Sequence, residues 1–109
     1  MANTFKRKIL ANVDTTLDPI YTVPATTTSV VLGLTLANVS GASITASIQL
    51  ETVGSGNVYI VKNIPIPSGS SIELMAGNKT VMETTDILNI SGSAINSIDA
   101  TLSIMEMDT

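Results

Sequence analysis

The residues of this chain that could do chemistry are its nine carboxylates and two glycine–serine loops. Glu73, Glu83, Asp86 and Asp99 are the acids that could form a general acid/base pair or a calcium cluster. A catalytic carboxylate pair needs burial or a neighbouring like charge to split its pKa values. Each of these four stands beside a turn signal or at an outward position of a strand pattern. Calcium loops carry oxygen ligands at dense spacing, as in D-x-D-x-D-G, and no such run occurs. The four acids read as solubilising surface charge. Ser68-Gly69-Ser70-Ser71 and Gly54-Ser55-Gly56 share the composition of phosphate-cradling loops, but such loops open a helix and usually carry a lysine, whereas strand patterns follow both. They read as hairpin loops. Asn38, Asn78 and Asn89 each begin an N-x-Ser/Thr triplet, which a chain so rich in Ser and Thr produces by chance. Histidine and cysteine are absent, which excludes Ser-His-Asp and Cys-His catalysis, disulfides and thiolate metal sites. The reading is a non-enzyme with no cofactor and no metal.

Bulk properties agree with a binding or structural role. The 109 residues support one domain, long enough to bury roughly two thirds of its unfolded surface. Hydrophobic content is 44% against 13% charged residues, far from the disordered class, and β-branched aliphatics dominate over aromatics. Net charge is −4, which argues against nucleic acid as a partner. No apolar run is long enough for a membrane helix, and the start MANTFKRKIL lacks the apolar stretch of a secretory signal. The expectation is no membrane association and synthesis in the cytoplasm. Lys6, Arg7 and Lys8 cluster near the start, while Glu106 and Asp108 lie near the end.

The elements that must position these residues are strands. Ile20 to Val23 ends at Pro24, and in the stretch that follows Val30, Leu32, Leu34 and Leu36 alternate with Val31, Gly33, Thr35 and Ala37. Period two sets one series inward and the other outward. Ile44, Ala46, Ile48 and Leu50 repeat the pattern against Thr45, Ser47, Gln49 and Glu51. Val58 to Ile64 resumes it before Pro65 and Pro67, two prolines that mark an edge strand or strand exit. Ile72 and Leu74, the Gly77-Asn78 turn, Thr80 to Glu83, Asp86 to Ile90 and Ile98 to Ile104 complete the set. About eight short strands at intervals near ten residues predict an all-β, antiparallel two-sheet β-sandwich of immunoglobulin-like or jelly-roll type. Residues 1–19 read as an N-terminal arm and leading turn, and 20–109 as the sandwich domain. The expected core holds Leu32, Leu34, Ile48, Leu74, Ile90, Leu102 and Ile104. Tyr21 and Tyr59 are expected at sheet margins with hydroxyls at the rim, or as interface anchors, and Met105 and Met107 are expected to face outward.

Four segments in order, MANTFKR, YTVPATTTSVVLGLTLANVS, VYIVKNIPIPSGSSIEL and SIDATLSIMEM, together span most of the chain. In that order and spacing the chain resembles small bacteriophage virion proteins, especially those of marine and cyanobacterial phages. The resemblance implies a structural component of the virion without enzymatic activity. The expected role is a capsid decoration or cement protein that binds the major capsid protein. Neck or tail accessory subunits, including fibre attachment, and a module binding host-surface glycans are the rival expectations, and homo-oligomerisation is compatible with each. Phe5, Lys6, Arg7 and Lys8 are the expected docking residues, supplemented by Tyr59 and Lys62. On this reading the arm is ordered by contact with another virion subunit.

Overall fold

The computed structural model describes residues 3–75 and 79–108. The Gly77-Asn78 turn and the first two residues of the expected arm lie outside them. Nine strands follow in order: β1 (Asn3–Leu10), β2 (Asp18–Thr22), β3 (Thr27–Asn38), β4 (Ile44–Glu51), β5 (Asn57–Ile66), β6 (Ser71–Leu74), β7 (Thr80–Met82), β8 (Ile87–Gly92) and β9 (Ile98–Asp108). They form two antiparallel sheets. Sheet A runs β1-β9-β3-β6 with β7 also paired to β3, and sheet B runs β2-β8-β4-β5. The predicted sandwich class holds.

The ninth strand is the first one. Asn3–Leu10 is no free arm: it pairs with β9 along its whole length, from Asn3 opposite Met107 to Leu10 opposite Ala100. Sandwich structure therefore begins within the segment 1–19 rather than at residue 20. The rest of that segment also contributes, since Val13 is fully buried and its N–H donates to the Ile98 carbonyl at 3.0 Å.

Between the sheets lie Val31, Leu34, Leu36, Ile48, Leu88, Ile90, Leu102 and Ile104, all fully buried. Most of the expected core is there. Leu32 is the correction. The pairing of β3 with β9 slips between Val31 and Gly33, so Leu32 is the extra residue of a β-bulge and the inward series changes parity there. Thr27, Ser29 and Val31 point inward before it, and Leu34, Leu36 and Asn38 after it. The bulge leaves the Leu34 N–H to a side chain: Glu73 accepts it at 2.8 Å and also accepts the Thr35 hydroxyl at 2.9 Å. Leu74, expected inside, is half-buried at the core margin. Pro19 and Pro65 lie on the edge strands β2 and β5, where a missing N–H leaves no gap in an interior ladder.

Candidate interaction surface

Residues paired across an antiparallel ladder share a face, so the register assigns every side chain of sheet A to the interior or the outside. On β1 the alternation is reversed from that of an ordinary half-buried strand. Lys6 and Lys8 lie opposite the fully buried Ile104 and Leu102 and share their inward side; Phe5 and Ile9 lie opposite Met105 and Thr101, on the outer face. Of the three adjacent cations expected to dock, Arg7 alone is on the outer face.

Lys6 is already engaged. Its Nζ lies 2.9 Å from Glu106 Oε1, while Glu106 Oε2 accepts the Tyr21 hydroxyl at 2.5 Å, and the Tyr21 hydroxyl oxygen lies 2.5 Å from Ser29 Oγ. Lys8 Nζ sits 6.0 Å from the Tyr21 ring centroid. Strands β1, β2, β3 and β9 thus meet at one polar cluster joining both sheets. Burial first, and the hydrogen bond to Glu106 second, push the Tyr21 phenol up from 10.0 to about 12. The Tyr21 hydroxyl and then the Lys6 ammonium hold the Glu106 carboxyl below its ordinary value. The Tyr21 hydroxyl is therefore inside the sandwich rather than at the rim.

On the opposite side of sheet A the register aligns an apolar row four strands wide. Phe5 of β1 faces Met105 of β9, Met105 faces Val30 of β3, and Val30 faces Val81 of β7. Phe5 is 73% exposed and Val81 58%. Ile9, two rows along, is equally open. The corresponding row on the outside of sheet B is Pro19, Asn89, Gln49 and Tyr59, and Asn89 there donates to Glu51 at 3.0 Å. The row across sheet A is apolar throughout, and the one across sheet B is mostly polar. Sequence reading expected Phe5 to dock from an arm and Met105 to face outward; it missed Val81 and set Val30 in the same series as Leu34, from which the bulge at Leu32 separates it.

Tyr59 and Lys62 lie on β5, the edge of sheet B. Lys62 Nζ is 4.7 Å from the Tyr59 ring centroid, a cation–π contact that preorganises the pair. They are separate from the β1 residues, which lie on the other sheet. A cleft of about 440 Å³ at one end of the sandwich is lined by Val81, Glu83, Asp86, Leu50, Val53 and neighbouring hydroxyl residues. Asp86, expected on the surface, is buried there as a turn-former: its carboxylate accepts the Glu83 N–H at 2.9 Å. Among the described residues no group of three or more acids is placed to hold a metal ion.

No protein-family model matches the chain, and no curated protein matches it. Solved structures do. One match, at TM-score 0.59 and 14% identity, covers 97% of this chain and 88% of a chain from the Bacillus endospore appendages described as a family of disulfide-linked pili. Another, at TM-score 0.56 and 12% identity, covers 95% of this chain and 30% of a chain from the T13 IBDV viral particle. The fold is a jelly roll. At these identities the likeness is one of fold, and this jelly roll lacks the cysteines that a disulfide-linked pilus requires.

Proposed function

We propose that this jelly roll is a non-enzymatic structural subunit of a bacteriophage virion, and specifically a decoration protein that stabilises the head by binding major capsid subunits. The observation that carries the reading is the apolar row Phe5, Met105, Val30 and Val81, left open on the outside of sheet A, where mostly polar rows flank it. Exposed apolar patches rimmed by polar residues mark contact surfaces. The Tyr59–Lys62 pair on β5 supplies a second contact place on the other sheet, so that one surface can serve self-association while the other meets the shell. Resemblance of the sequence to small phage virion proteins supports the virion as the setting, and solved likenesses from a viral particle and a pilus support assembly as the task. Binding to the assembled shell and not to free subunits stabilises the shell by linkage.

The experiment is titration of purified protein onto phage heads that lack it, with occupancy and heat resistance of the heads as readouts. Saturation in simple ratio to the capsid subunits, with heads that survive higher temperature, is the expected result. Absence of binding to heads overturns the decoration role. Labelling confined to one vertex or to the tail would instead assign the protein to the neck or tail.

A further inference from the structure

We propose that the apolar row on the outside of sheet A is covered by a second copy of this chain, in a two-fold dimer whose axis runs along Phe5, Met105, Val30 and Val81. This rests on reading that face as an assembly surface and names its occupant. Four side chains in register across four strands form a continuous apolar band. Nothing in the described chain lies over it, as the exposure of Phe5 and Val81 shows.

Charges beside the band select both the partner and the axis. Alternation along β7 puts Lys79, just before the strand, and Glu83, just after it, on the same outer side as Val81, one row to either side of the band. Neither has an ion-pair partner among the described residues, where Lys6 pairs with Glu106. An axis along the band lays each strand over its own copy with direction reversed. Band residues then meet themselves, and rows on either side exchange places. Glu83 faces the second copy's Lys79, and Lys79 faces its Glu83, so two ion pairs flank the band at the β7 end. At the β1 end Arg7 faces the neutral Asn3, and Met107 faces Ser103. No like charges are opposed. A two-fold axis parallel to the strands fails this check, because it sets Arg7 over Lys79. The chosen geometry is isologous, the same patch serving both copies, and two sheets meeting face to face is an ordinary packing mode.

The dimer leaves both Tyr59–Lys62 pairs open, one on each outer sheet B. A decoration protein built this way carries two equivalent contacts for the shell, and their avidity exceeds that of one copy.

The test is sedimentation equilibrium of the full chain across a wide concentration range. Wild type is expected to be a dimer, and Met105→Lys, at the middle of the band on the outer face, is expected to be a folded monomer with an unchanged circular dichroism spectrum. Lys79→Glu and Glu83→Lys each set like charges face to face twice per dimer and are expected to weaken association by more than about tenfold. The double exchange K79E/E83K is expected to restore it. A wild type that stays monomeric at every concentration, or a dimer indifferent to Met105→Lys, overturns the proposal. Failure of the double exchange to restore what the single changes lose overturns the axis. The decoration role is judged separately on heads: a monomer that binds them sinks the dimer alone, and a dimer that ignores them sinks the decoration role alone.

Discussion

Lys6 holds its ammonium 2.9 Å from the carboxylate of Glu106 on the interior side of sheet A, although its side chain remains 45% exposed. The aliphatic stem runs inward and the charged end stays at the open margin, as long cationic side chains do when they border a core. Through Glu106 the contact continues to Tyr21 and Ser29, so the first strand is fastened by its side chains as well as by its ladder with β9.

Tyr21→Phe keeps the ring and removes the hydroxyl that serves Glu106 and Ser29, both buried. Leaving buried polar groups short of a partner costs about 1–3 kcal/mol. Urea unfolding should show the loss as a lower midpoint at unchanged slope.

The same cluster sets two pH limits of opposite sign. Glu106 has its folded pKa depressed below 4.5, so its contribution is present above that value and disappears as pH falls through the lower, folded one. Tyr21 has its folded pKa raised from 10.0 to about 12; its contribution is complete below 10.0 and is lost as pH climbs toward 12. Stability measured from pH 2 to pH 12 should decline at both ends. Glu106→Gln should flatten the acid limb and Tyr21→Phe the alkaline one.

The bulge in β3 separates two leucines that look equivalent in the sequence. Leu34→Ala empties a fully buried site and should cost about 2–5 kcal/mol. Leu32→Ala, at a half-exposed bulge position, should cost clearly less. Equal losses in chemical denaturation would show that Leu32 faces inward.

Removing residues 1–10 takes out β1, exposes the ladder groups of β9 and deprives Glu106 of Lys6. An open strand edge next to an apolar face promotes aggregation. The truncated protein should unfold at a lower temperature and precipitate on heating. An unchanged melting temperature would make the segment a detachable arm after all.

Much of the sandwich was legible in the residues, because Ile44 to Leu50 and Ile98 to Ile104 alternate as a half-buried strand must. β1 was not, since its inward positions are Lys6 and Lys8 and its outward ones include Phe5 and Ile9, the reverse of the usual signal. That inversion works only because Glu106 and Tyr21, far along the chain, receive the two lysines. The Leu32 bulge was hidden for a related reason: Leu occupies both the inserted site and the buried ones, so composition carries no mark of the slip. The apolar row was half visible. Its members come from four strands, and period two says which side each takes but not which residues stand abreast.

The pairing of β9 with both β1 and β3 also dictates a timetable. Until β9 has been synthesised, β1 has no ladder partner and β3 is paired on one side only, to β6 and β7. Sheet A cannot close before β9 is available, and contacts between strands far apart in sequence form slowly. Before β9 emerges, the nascent protein therefore presents an unpaired β1 and one open side of β3, the kind of exposed strand edge that invites mispairing.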